Sequence, residues 1–400
     1  MSPGIRARRA RALLGLVLAC SGCAPEVVIG YAPTPQAVDP GRDGAAPFDG
    51  AGVAEGGMDA RDAGDESALD GGDSGDLPDV LDAGDDAESP LPEITWLTGG
   101  HPGNDLPQYI AFGEWRGRPL DFAHVFPDRN SWQGLIHPTW PFDMFAPFEG
   151  RMMMSVPPYP VGMGFNNQDC AAGMYDDEWA QLGSFLVARD RGDSVLRLGW
   201  GPNDTEHEWA VAAGATPDAI DEADRDAWVQ CFRNVVDAVR STAPEVEIDW
   251  TINPIGPPSI ARYDPFLTYP GDEYVDYVGI ELFDMHPATR DRAAWDAACN
   301  GPTGLCTLAE FARARGKQLG IAEWGVVGCA GDGQPDASGV TGGDNPFFIQ
   351  KAVETFAAHA DIMGYEAYFE DGNLELCSNL FEGGQHPDSA AKYRALFTPR

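Results

Sequence analysis

Val195-Leu-Arg-Leu-Gly-Trp200 is a short apolar run, and Glu247-Ile-Asp-Trp-Thr-Ile-Asn253 is a second run of the same kind. Between them Thr216 opens the segment Pro217–Thr242, where Ala227-Trp228, Cys231-Phe232, Val235-Val236 and Val239 recur at the spacing of one helical face. This is a strand, an amphipathic helix and a strand, and two strands joined by a crossover helix lie parallel. The same alternation extends outward. Further strands are expected at Tyr109–Gly113, Gly134–His137, Met152–Val156, Val275–Leu282, Leu319–Trp324 and Ile362–Phe369. Helices are expected at Asp176–Arg189, at Leu308–Arg315 capped by Thr307, and at Phe347–His359, where Asn345-Pro346 suits a first turn. Eight strands alternating with helices imply an α/β fold, a closed (β/α)8 TIM barrel over residues 93–400. The rival is an open doubly wound sheet, but no Gly-rich phosphate loop follows an early strand.

In such a barrel, chemistry gathers at the C-terminal ends of the strands. Those ends read Arg197-Leu-Gly-Trp200-Gly201-Pro-Asn203-Asp204, Trp250-Thr-Ile-Asn253, Gly279-Ile-Glu281-Leu-Phe283-Asp284, Ile321-Ala-Glu323-Trp324-Gly325 and Tyr365-Glu366-Ala-Tyr368-Phe369-Glu370. They are dense in carboxylates, which cleave glycosides as acid and nucleophile. They are also dense in aromatics, whose faces stack on the C–H faces of sugars. Glu323 is the leading catalytic carboxylate, and Arg197 is the cation placed to keep it charged.

Before residue 93 the chain reads differently. Arg6, Arg8, Arg9 and Arg11 precede the apolar run Ala12–Ala19, which is too short to span a bilayer and fits an export signal over residues 1–19. Val17-Leu18-Ala19-Cys20 resembles a bacterial lipobox with Cys20 lipidated, and Cys23 is the alternative register. Residues 20–92 are rich in Asp, Gly and Ala, as in Asp70-Gly-Gly-Asp-Ser-Gly-Asp76. Such a stretch cannot bury enough apolar surface to offset its ordering entropy, so a disordered acidic tether is expected. Membrane association would then run only through the lipid anchor, at the cell envelope, with plain secretion the alternative.

The formal charge of -37 argues against nucleic acid as a partner. Export favours disulfides over metal for the six remaining cysteines, which contain no CxxC pair. Cys299 and Cys306 flank a short loop, Cys329 and Cys377 each follow a late strand, and Cys170 with Cys231 is left by elimination. No HExxH or paired histidine spacing occurs, so neither a metal nor an organic cofactor is implied. A monomer is expected.

Arg197-Leu-Gly-Trp-Gly-Pro-Asn203 followed by Trp209, together with Leu319-Gly-Ile-Ala-Glu323-Trp-Gly325, resembles the fourth- and seventh-strand motifs of glycoside hydrolase family 26, the β-mannanase group. Val275-Asp276-Tyr-Val-Gly-Ile280, Gly342-Gly-Asp-Asn-Pro346 and Trp115-Arg-Gly-Arg-Pro119 are also similar. The resemblance covers residues 105–395. It implies a retaining double displacement on a β-linked polysaccharide or oligosaccharide such as mannan, with two glutamates about 5 Å apart. It also implies Glu323 as nucleophile, with Arg197, Asn203, Trp209 and Trp324 at cleft positions, while Trp200, Phe283 and Tyr365 are expected as substrate-binding residues from their places at the strand ends. Two positions depart from the family. The acid/base falls on Gly201, which has no proton to give, and Phe283 stands where relatives carry a Tyr. Loss of a general acid costs about 10²–10⁴ in rate. Glu206 and Glu208 lie on the same loop and are the candidate replacement acids, with solvated loop charge the alternative. The alternatives to an active hydrolase are a surface carbohydrate-binding protein that has lost catalysis and a structural or adhesive lipoprotein.

Overall fold

A computed structural model describes residues 94–211, 221–257, 259–260, 263–329, 336, 338–370, 376–381 and 385–399. The expectations for residues 1–93, including the export signal, Cys20, Cys23 and the acidic tether, lie outside the described residues. Eight parallel strands form the sheet: β1 Leu97–His101, β2 Phe122–Val125, β3 Arg151–Val156, β4 Val195–Leu198, β5 Glu247–Ile252, β6 Tyr277–Phe283, β7 Gln318–Gly325 and β8 Met363–Phe369. Each strand from β2 pairs with the next, and β8 returns to pair with β1, so the fold is a nearly closed (β/α)8 barrel. The seam between β1 and β2 is held at its lower end by Asp121. Its backbone N–H donates to the Thr98 carbonyl at 2.8 Å, and its carboxylate accepts from the Thr98 N–H at 2.9 Å.

The helices are α1 Leu106–Arg116, α2 Trp132–Ile136, α3 Thr139–Phe142, α4 Asn167–Ala171, α5 Asp176–Val187, α6 Glu222–Thr242, α7 Arg292–Cys299, α8 Leu305–Ala314, α9 Pro346–Ala358 and α10 Pro387–Phe397. Between β5 and β6 the described residues form two 3-10 turns, Pro265–Thr268 and Asp272–Tyr274. Strands β3 to β8 lie where the apolar runs put them. The first two expected strands are corrected. Tyr109–Gly113 lies inside α1, which buries Leu106, Tyr109, Phe112, Gly113 and Arg116 along one stripe, a helical and not an alternating pattern. Gly134–His137 belongs to α2 and its C-cap, where the Ser131 side chain accepts from the Gly134 N–H. Thr307 is likewise not a cap: α8 begins at Leu305, and the Thr307 hydroxyl donates to the Gly301 carbonyl. Asn345 does cap α9, its side chain accepting from the Phe348 N–H.

Two cores result. Inside the barrel, Phe122, Met153, Val195, Tyr277, Ala322, Tyr365 and Ala367 form an apolar plug. Outside it, the second faces of the strands pack under the helices around Trp179, Trp228, Trp250 and Trp324, all fully buried. Three disulfides brace this outer shell. Cys170–Cys231 ties α4 to α6, Cys299–Cys306 joins α7 to α8, and Cys329–Cys377 links the loops after β7 and β8.

Candidate active site

Above the apolar plug the barrel interior becomes polar, and the placement of its central acid depends on an irregularity in β7. On the β6 side Gly279 pairs with Gly320 and Glu281 with Glu323; on the β8 side Ile321 pairs with Glu366 and Trp324 with Tyr368. β7 therefore carries one more residue than either neighbour over this stretch, a β-bulge. Gly320 faces the interior, because a Cβ there would meet the Tyr365 hydroxyl and the Asp249 carboxylate. Ala322 also faces the interior, in contact with the plug. Strict alternation would next send Glu323 outward. The bulge instead turns Ala322 and Glu323 inward together and puts Trp324 on the outer face.

Arg197 of β4, completely buried, is the hub. One terminal nitrogen donates to the Glu323 carboxylate and to Ser155 Oγ (3.2 Å), and the other donates to Glu281 Oε1 at 2.5 Å. Its Nε–H donates to Thr251 Oγ1 at 3.2 Å. The Thr251 hydroxyl and the Tyr365 hydroxyl both donate to Asp249, a fully buried carboxylate. His124 of β2 completes the layer. Burial and the positive charge of Arg197 hold its imidazole well below the ordinary range, so it is neutral. Its Nδ1 bonds the Ala322 carbonyl (3.1 Å), which can only accept, and Nε2 then accepts from the Ser155 hydroxyl at 2.7 Å. His124 thus pins the bulged residue that aims Glu323.

Glu281 and Glu323 are cross-strand neighbours, separated by no more than one guanidinium and its two hydrogen bonds. With Asp249 behind them, three enclosed carboxylates face one cation, and burial pushes the Asp249 carboxyl above the usual carboxylate range. Burial first, then the charge of Glu323, push Glu281 up to about 8. Its side chain is 15% exposed, against 10% for Glu323.

Aromatic rings surround this acid pair. His101 of β1 stacks on Phe369 at 5.2 Å and meets Phe126 edge-on at 4.9 Å. Phe126 in turn contacts Trp200 at 5.8 Å, and Phe369 contacts Phe283 at 6.0 Å. Phe126, Phe283 and Phe369 are half-buried, presenting apolar surface around charged groups, the character of a sugar-binding cleft.

The loop after β4 explains several residues named from sequence. Gly201 has φ +60°, a backbone state in which a glutamate is strained, and a Cβ there would sit 3.2 Å from Asn253 Nδ2. The Asn203 amide is occupied by the backbone of Asn253, donating to its carbonyl at 2.8 Å and accepting from its N–H at 3.0 Å. Trp209 is buried and donates its indole N–H to the Trp200 carbonyl at 2.9 Å, with the tilted ring of His207 packed against it. Asn203 and Trp209 therefore shape the loop under Trp200. Glu206 and Glu208 are exposed, and the Glu208 carboxylate accepts from the Gly162 N–H at 2.7 Å.

Two expected cleft residues are corrected. Trp324 is fully buried outside the barrel, its indole N–H donating to Glu366 Oε2 at 2.6 Å and its ring packed on Phe356 of α9 and Tyr393 of α10. The bulge is the cause. Tyr365 lies within the plug below the polar layer, 1% exposed, and its hydroxyl is committed to Asp249. Conversely, Glu281, His124 and Phe126 belong to the site but were not singled out. Glu281 stood in the sixth strand end, whereas β2 showed no strand pattern that would have called up the other two. Among the described residues no group of three His, Cys, Asp or Glu side chains is placed to hold a metal ion.

No family model and no curated protein matches the chain. Solved structures do. An endo-β-1,4-mannanase double mutant from Cellulomonas fimi is 16% identical, with 76% of this chain and 70% of that chain aligned at a TM-score of 0.50. The YdhT protein from Bacillus subtilis is 12% identical over 74% of this chain and 84% of that one, also at 0.50. An engineered protein is 17% identical over 76% and 70%, at 0.51. At these identities the likeness is one of fold.

Proposed function

We propose that the barrel is a retaining glycoside hydrolase of the family 26 type, acting on a β-linked polysaccharide such as mannan with Glu323 as nucleophile. The observation that carries this reading is the bulge in β7, which turns Glu323 into an aromatic-rimmed mouth against the buried guanidinium of Arg197. A carboxylate held against a guanidinium beneath stacking surfaces is suited to attack on an anomeric carbon. The fold likeness to the Cellulomonas fimi mannanase supports the substrate class. The basic start of the chain, the short apolar run and Cys20 support an exported lipoprotein, with residues 20–92 as the tether.

Gly201 favours a second reading, a surface protein that binds carbohydrate without turnover, because the backbone at the acid/base position is shaped for glycine. Hydrolysis of dinitrophenyl β-glycosides and of mannan by the wild type and by Glu323→Ala separates the two. Cleavage that disappears in Glu323→Ala supports the hydrolase. Retardation in mannan affinity gels without cleavage of either substrate supports the binding protein. Absence of both refutes each.

A further inference from the structure

A double displacement needs a group that gives a proton to the leaving oxygen and then takes one from water. The fourth strand supplies none, since position 201 is glycine. Glu206 and Glu208 are exposed on the loop, and Glu208 is already bound by the Gly162 amide. Among the described residues, the carboxyl on the strand position paired with Glu323 is Glu281 of β6, and its side chain is partly exposed.

We propose that Glu281 is the acid/base of this site, working in partnership with Glu323 across the shared guanidinium of Arg197. This rests on the reading of Glu323 as nucleophile. The geometry supports it in three ways. Glu281 is the residue of β6 directly paired with Glu323, so the two carboxyls flank one point at the mouth. Its side chain keeps more exposure than Glu323 and can meet a glycosidic oxygen. Its hydrogen bond to Arg197 is separate from that of Glu323, so neither acid must leave for the other to act. The charged groups facing Glu281 are Glu323 of β7, Arg197 of β4 and Asp204 of the loop after β4, and burial with the two negative charges favours its protonated form at neutral pH.

The charge stays constant through the reaction. Glu281 gives its proton to the glycosidic oxygen as the bond from that oxygen to the anomeric carbon breaks, and a Glu323 oxygen bonds that carbon. Glu323 has then lost its charge to an ester and Glu281 has gained one, so Arg197 pairs with a single carboxylate before and after the step. In the second half water attacks the anomeric carbon, its proton passes to Glu281, and Glu323 departs as the carboxylate. The guanidinium stabilises whichever of the two is charged, without any side chain having to move.

The test uses the full-length protein and the variants Glu281→Gln and Glu281→Ala. Substrates are polysaccharide and the dinitrophenyl β-glycosides of mannose, glucose and xylose, whose leaving group needs no proton. We expect Glu281→Gln to lose about 10²–10⁴ in rate on polysaccharide while cleaving the dinitrophenyl glycoside far less impaired. We expect azide to accelerate Glu281→Ala on that glycoside and to yield a β-glycosyl azide. Polysaccharide cleavage by Glu281→Gln within about tenfold of wild type overturns the proposal, as does equal loss on both substrates without an azide product. Labelling of wild-type Glu323 by a 2-deoxy-2-fluoro glycosyl fluoride, read by mass spectrometry, tests the underlying reading separately. Its absence removes the nucleophile, and the Glu281 assignment falls with it.

Discussion

Replacing Glu281 by Gln should change how the stability of the domain depends on pH, and the direction follows from the charges around Arg197. In the folded protein Glu281 is pushed from 4.5 up to about 8. The unfolded chain therefore releases this proton near pH 4.5, whereas the folded chain keeps it until about pH 8. Between those values the native state binds the extra proton, so wild-type stability falls as pH rises, by about 1.4 kcal/mol per pH unit at most. Below the window the group is protonated in both states, and above it ionised in both, so its contribution is level outside. Gln copies the protonated shape and cannot ionise. The two proteins should match near pH 4.5 and diverge upward, Glu281→Gln becoming the more stable by several kcal/mol at pH 8, with about 5 kcal/mol the full extent of the window. Urea unfolding followed by tryptophan fluorescence across this range, disulfides intact, measures the difference directly. Parallel stability profiles would refute the reasoning, for they would mean that Glu281 is ionised throughout and that Arg197 neutralises both glutamates.

Trp324→Phe should cost about 1–3 kcal/mol of stability, because it leaves the buried Glu366 carboxylate without its indole donor. It should leave retention on mannan gels unchanged, and a loss of retention with normal stability would return Trp324 to the cleft. Gly201→Glu should not raise activity on polysaccharide and should lower stability by about 1–2 kcal/mol, the penalty of a left-handed backbone for a residue with a Cβ. A rate gain of about tenfold or more would show that the loop after β4 still accepts an acid. Phe126→Ala should weaken mannan binding by about two- to tenfold, the worth of one stacking surface, and affinity electrophoresis at several mannan concentrations would detect an unchanged constant.

Strands β3 to β8 were legible because each is an apolar run buried on both faces, where sequence has little freedom. β1 and β2 were not. Leu97-Thr-Gly-Gly-His101 spreads two glycines and two polar residues over five positions, and Phe122-Ala-His-Val125 is too short to show a period. Their pairing comes from the rest of the ring, while the more apolar Tyr109–Gly113 packs as one stripe of α1. In the site, Arg197 and Glu323 could be read because a cation and an acid at neighbouring strand ends suggest a pair. The faces of Trp324 and Tyr365 could not. Trp324 depends on a bulge that leaves no mark in composition, and Tyr365 lies a layer too deep because its hydroxyl reaches Asp249. His124 was hidden with its strand.

Being one residue out of step with both neighbours makes β7 a place where length, more than chemistry, decides what the barrel can do. Excising Ala322 alone would leave every side chain named in the mouth present in the chain. Yet it would bring the strand back into phase with Glu323 still facing inward, because Ile321 faces outward and Glu323 would follow it directly. The acid would then sit at the level Ala322 occupies against the apolar plug, while Trp324 keeps its outer face. Among related chains, a single gap between Gly320 and Trp324 should therefore be read as a change in how deep the acid sits and not in the face it points to.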